Sequence, residues 1–184
     1  MTTTKKQLTR EKILKAAWHL FRQQGYPETS TRQIAREAGV ADGTVFSHFP
    51  TKLDMLKAGM LTQVELVLTK ARQEKQGGSP AQKLLHHAGF LYGFYADNRE
   101  FSRELFKEAI WQYDYFRPQV DDFKRLLFAD RADQDENNEL DAEIMMDCYF
   151  MTLLHGLNRP ETNAEQMLTE LGKKLARLFR TTGN

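Results

Sequence analysis

The sequence of 184 residues predicts an all-α protein, and three observations carry that prediction. Proline is scarce, at five residues, so long helices go uninterrupted. No stretch of period-two alternation rich in β-branched residues is long enough to argue for a sheet. Apolar residues instead recur at helical spacing between recognisable start and stop signals.

The elements follow in order. Ile13, Ala17, Leu20 and Phe21 share one helical face and Gly25 closes the segment, predicting a first helix over about 9–24. Ser30, three residues before Gln33, forms a possible capping box, with Thr31 as the competing cap, and Gly39 supplies a left-handed stop after Ala38. Residues 40–42 make a tight connection to a short third helix at about 43–48, which ends at Phe49-Pro50 because proline disfavours a helical residue before it. Thr51 caps a longer fourth helix through about residue 75. Residues 76–80 read as a linker, with Ser79 as the next N-cap and Pro80 in the first turn. Further helices are expected near 80–96, 99–114 and 118–130, and the polar, acidic stretch 130–141 as a solvated loop. Two last helices, near 140–157 and 163–180, are separated by Asn158-Arg159-Pro160.

Composition excludes several classes. The longest uncharged run is the 13 residues 84–96, short of the roughly 18 a membrane-spanning helix needs, so no membrane protein is expected. The N-terminal residues hold two lysines with no apolar stretch behind them, neither a secretory signal nor a lipidation site, so a cytoplasmic chain is expected. The single Cys148 excludes an intramolecular disulfide and a cysteine-based zinc site, and its apolar neighbours predict a buried, inert thiol.

The net charge of +1 hides an asymmetry. Residues 1–60 carry ten Lys and Arg against five acids, so the remainder is acidic. A basic head on an acidic body suits a polyanion-binding module joined to a part with another task. Within that head, two short helices joined by a glycine-containing turn form a helix-turn-helix, whose second helix fits the DNA major groove. Ser30-Thr31-Arg32 opens one helix and Asp42-Gly43-Thr44 the other, so hydroxyls, helix N-terminal N–H groups and a guanidinium suit phosphates and base edges. Ile34, Ala35, Ala38, Val40, Val45, Phe49 and Leu53 read as the core of this head. Lys5, Lys6 and Arg10 read as a frayed basic terminus, although such an arm also suits a minor groove.

Three runs carry a family resemblance: Ile-Leu-x-Ala-Ala-x-x-Leu-Phe-x-x-x-Gly-Tyr (13–26), Ser-Thr-x-x-Ile-Ala-x-x-Ala-Gly-Val (30–40) and Gly-Thr-Val-Phe-Ser-His-Phe-x-x-Lys (43–52). In these the sequence resembles the TetR family of one-component transcriptional regulators, over about residues 10–56. The resemblance implies a homodimer of all-helical subunits on a palindromic operator in double-stranded DNA. It places a helix-turn-helix domain at 1–50 and an effector-binding and dimerisation domain at 51–184. By position, Thr31, Thr44, His48 and Lys52 correspond to DNA-backbone contacts, and Arg32, Asp42, Gly43 and Ser47 to base contacts. Two residues depart from the pattern. Phe46 replaces a tyrosine whose hydroxyl meets a phosphate, and Ala41 replaces a capping serine, which makes Asp42 the expected substitute cap.

The body is rich in aromatics: 12 of the 20 lie between residues 81 and 130, which suits an aromatic-lined cavity or simply a bulky core. The resemblance implies a pocket for a small-molecule effector, with Phe90, Phe94, Phe106 and Trp111 as candidates, and a repressor as the usual mode. Met167, Leu168, Leu171, Leu175 and Leu178 form an apolar stripe that either covers its own subunit or meets a twofold copy; the resemblance favours the second. An enzyme is the rival class, yet His86 and His87 diverge by about 100° on a helix, and no metal, cofactor or nucleophile pattern stands out. The other alternative is a DNA binder of the same fold without an effector, acting as an architectural or protein-partnered factor.

Overall fold

The structure is a computed structural model that describes residues 4–74, 77–109, 113–129 and 136–179. Among the described residues the chain forms nine helices and no strand. They are α1 (Lys5–Gln24), α2 (Thr31–Ala38), α3 (Asp42–His48), α4 (Lys52–Gln73), α5 (Pro80–Asp97), α6 (Arg99–Ala109), α7 (Tyr113–Phe128), α8 (Glu136–Asn158) and α9 (Ala164–Phe179). The chain divides into two compact units, Met1–Glu65 and Leu66–Asn184, with the division inside α4.

Local chemistry sets the first unit's helix ends. Ser30 is the N-cap of α2, its hydroxyl accepting from the Gln33 N–H at 3.2 Å while the Gln33 side chain accepts from the Ser30 N–H at 2.8 Å. Gly39 closes α2 at φ 66°, a left-handed conformation that strains other residues. Thr51 and Asp54 bond reciprocally at the start of α4. Ile13, Ala17, Phe21, Ile34, Ala35, Val45, Phe49, Met55, Leu56 and Met60 are buried and form the core of this unit. Gly59 admits Trp18: a Cβ there would meet the indole at 2.8 Å.

In the second unit α5 is central and packs on α6, α7, α8 and α9. Tyr92 stacks on Tyr149 at 5.1 Å and donates its hydroxyl to the Tyr149 carbonyl at 2.9 Å. Phe123 and His87 extend this aromatic group. Gly156 lets α8 approach α9, because a Cβ there would collide with the Met167 side chain. Arg99 closes α8: its guanidinium donates to the carbonyls of Gly156, Leu157, Arg159 and Thr162 at 2.5–3.1 Å.

Several expectations need correction. The helix expected over about 9–24 begins at Lys5, because Thr4 and Gln7 form a capping box, so Lys5, Lys6 and Arg10 are helical and not frayed. Asp42 is not the cap of α3: Ala41 holds the N-cap position without a side-chain bond, and Asp42 lies in the first turn. Part of the expected loop 130–141 is helix, since α8 begins at Glu136; Glu139 and Asp141 fall in its opening turns, where negative charge is favoured by the helix dipole. The helix expected from 118 begins at Tyr113 and carries Pro118 inside it, at the loss of one backbone hydrogen bond. Met167, Leu171 and Leu175 are buried within their own subunit, so that part of the α9 stripe does not face a twofold copy. Cys148 is half-buried, and that burial raises its thiol pKa.

Candidate nucleic-acid interface

The helix-turn-helix is built from α2, the turn at Gly39, Val40 and Ala41, and α3. Gly39 and Val40 return their N–H groups to the carbonyls of Arg36 and Ala35 at 3.1 and 3.0 Å, which fixes the turn. Val45 points inward and is fully buried, and Phe49, just past the helix, is 1 % exposed. The outer face of α3 therefore carries Asp42, Gly43, Phe46 and Ser47, all exposed, with Thr44 and His48 half-buried beside them. No atom lies within 4 Å of a Cβ built on Gly43, so a partner can approach its bare backbone.

The two helices are tied at their openings by an ion pair, Arg32 Nε donating to Asp42 Oδ2 at 3.4 Å. With side chains 81 % and 51 % exposed, the pair contributes little stability and is readily exchanged for contacts to another molecule. Thr31 opens α2 directly after its cap. Ser47 donates its hydroxyl to the Thr44 carbonyl at 2.8 Å, leaving the oxygen's lone pairs as acceptors. Thus Thr31, Arg32, Asp42, Gly43, Thr44, Ser47 and His48 all lie on α2 and α3, while Lys52 sits apart, under the loop between α1 and α2. Its ammonium donates to the carbonyls of Tyr26, Pro27 and Thr29.

In the second unit, Phe94 and Phe106 both meet the ring of Tyr95, at 5.5 and 5.4 Å. Phe90 instead meets His86 edge-on at 5.3 Å and lines an open groove of about 550 Å³ with Gln82, Leu85, His86, Gly89 and Leu168. Trp111 lies outside the described residues. The sequence reading did not single out Gln82, Leu85, Gly89 or Leu168 for this groove; the signal available was their recurrence on one face of α5, with a small residue opposite the leucine of α9. His86 donates through Nε2 to the Ala71 carbonyl at 2.8 Å, and His87 through Nδ1 to the Lys83 carbonyl at 2.8 Å. Burial lowers the His87 pKa below 6.5, and its Nε2 has no partner among the described residues. Among the described residues no group of three His, Cys, Asp or Glu side chains is placed to hold a metal ion.

The profile of the bacterial regulatory proteins of the tetR family matches residues 13–58, the stretch that contains this helix-turn-helix. A solved structure of Thermus thermophilus FadR, a TetR-family transcriptional repressor in complex with lauroyl-CoA, matches with a TM-score of 0.67 at 26 % identity, over 92 % of this chain and 93 % of that one. Residues 13–58 thus resemble the N-terminal region of TetR-family regulators. Two curated relatives from Pseudomonas putida also match: the uncharacterized HTH-type transcriptional regulator TtgW, 48 % identical over 27 % of this chain and 37 % of its own, and the HTH-type transcriptional regulator SrpR, 42 % identical over 31 % and 27 %. The match thus spans about a third of the length of these relatives. Both relatives are named as transcriptional regulators, not as enzymes.

Proposed function

We propose that this chain is a sequence-specific DNA-binding transcriptional regulator, a repressor released from its operator by an apolar or aromatic small molecule. The observation that carries the reading is the outer face of α2 and α3, where hydroxyls, an exchangeable Arg32–Asp42 pair and a bare glycine backbone share one surface. In this reading Thr31, Thr44 and His48 meet phosphates, and Arg32, Asp42, Gly43 and Ser47 face base edges. The chain works in the cytoplasm as a homodimer, and no described helix is long and apolar enough to cross a membrane.

The effector site proposed lies in the second unit, at the groove lined by Phe90. The groove beside Phe90 has the volume of a small-molecule site and a largely apolar lining with a few polar groups. Binding there weakens DNA binding only through a difference in affinity between the DNA-bound and DNA-free forms, and a tenfold loss requires about 1.4 kcal/mol.

Selection of bound duplexes from random DNA tests the reading. A palindromic motif with half-site centres roughly 34–36 Å apart, or a multiple of that, is expected. Finding no enriched motif counts against it. An effector that releases the selected duplex must bind more weakly, by the same factor, when that duplex is saturating; equal affinity in both states would favour an effector-free regulator.

A further inference from the structure

The loop from Gly25 to Thr29 is folded around one side chain from another helix. Gly25 turns the chain out of α1 at φ 90°. Thr29, 2 % exposed, donates its hydroxyl to the Gly25 carbonyl at 2.7 Å, and Gln24 Nε2 donates to the Glu28 carbonyl at 3.1 Å. The carbonyls of Tyr26, Pro27 and Thr29 consequently converge on one point. Lys52 Nζ occupies it, at 2.7, 3.3 and 2.9 Å respectively. The same ammonium lies 4.3 Å from the centroid of the Tyr26 ring, which itself packs edge-on against Phe21 at 5.2 Å. A lysine ammonium has three N–H donors, and three carbonyls take them.

We infer that Lys52 is a positioning residue: its ammonium holds the 25–29 loop and thereby sets the N-terminus of α2 for DNA, without itself touching a phosphate. The assignment differs from the phosphate contact that the family resemblance implies, and it rests on the DNA-binding function proposed above. Thr29 is the last residue before the Ser30 cap, so fixing its carbonyl fixes the point from which Thr31 and Arg32 project. A phosphate would have to draw the ammonium away from its three acceptors, leaving those carbonyls to find others.

Lysine acetylation of the full-length chain, followed residue by residue by mass spectrometry, tests the geometry without any DNA. Lys52 should react at least about tenfold more slowly than the exposed Lys12 and Lys15; equal reactivity overturns the inference. Binding to a 30-base-pair duplex of random sequence tests the role. Lys52→Met should weaken binding about tenfold while leaving the slope of log K against log salt unchanged; a slope reduced by about 0.9 per subunit marks a lost phosphate contact and overturns it. Lys52→Arg keeps the charge but presents a planar fork to three converging carbonyls, so it too should weaken binding, and full retention of affinity overturns the inference. In a double-mutant cycle Thr31→Ala should cost several-fold in the wild-type background and nothing beside Lys52→Met, whereas additive losses overturn it. A wild-type chain that binds no duplex at all would defeat the DNA-binding reading, and with it the positioning role; slow acetylation of Lys52 would then report only the loop geometry.

Discussion

At the scale of single residues, the helix-turn-helix offers its chemistry through side chains that the fold leaves outside. Phe46 is 50 % exposed on α3, an unusual place for an aromatic ring in a head whose other phenylalanines, Phe21 and Phe49, are buried. Restoring a hydroxyl there with Phe46→Tyr should add a phosphate contact worth about 1 kcal/mol, tightening binding to any duplex about fivefold. Titration of the variant against random-sequence DNA checks this, and unchanged affinity would place Phe46 away from the backbone. In the second unit His87 is buried with its pKa lowered, so the unfolded state takes up its proton first as the pH falls. Its contribution to stability is complete above about pH 6.5 and declines below it. The melting temperature should therefore fall between pH 7 and pH 5 more steeply for the wild type than for His87→Phe. At this scale the caps at Ser30 and Gly39 were legible because each rests on a local rule. The role of Asp42 was not, because its carboxylate is drawn ten residues back to Arg32, and no local rule reports that.

At the scale of elements, the ends of helices depend on partners far away in sequence. The last carbonyls of α8 have no intrahelical donors, and Arg99, from the start of α6, supplies them. Arg99→Ala should cost about 2 kcal/mol, because hydrogen bonds from a charged group to partly buried carbonyls are lost. In a chain of this length that corresponds to a melting temperature lower by about 4–8 °C, measurable by calorimetry. Arg99→Lys should recover only part of it, since one ammonium cannot reproduce the fork. The existence of most helices was readable from periodicity, but which way their faces turn was not. The stripe Met167, Leu171, Leu175 reads equally as a core face or a twofold interface; only its packing on α5 and α8 decides that it is core.

At the scale of the whole molecule, that placement alters where the contact of the proposed homodimer is to be sought. Leu171→Glu buries an unpaired charge in the subunit's own core and should unfold the protein rather than yield stable monomers. Met151, 47 % exposed on α8, is the better probe. Met151→Glu should leave the melting behaviour of the subunit nearly intact and shift the mass in light scattering from dimer to monomer; a dimer of unchanged strength would place the contact elsewhere. The groove beside Phe90 was not legible in the sequence, because it depends on how α5 and α9 meet.

The central claim, that the openings of α2 and α3 meet DNA, is tested most directly by amide hydrogen exchange in the full chain with and without duplex. The first amides of these helices, at residues 31–32 and 42–43, have no acceptor within their own helix and should exchange readily in the free protein. Adding the selected duplex should slow exchange there. Unchanged exchange at both helix openings, with any slowing confined to residues 66–179, would contradict the account.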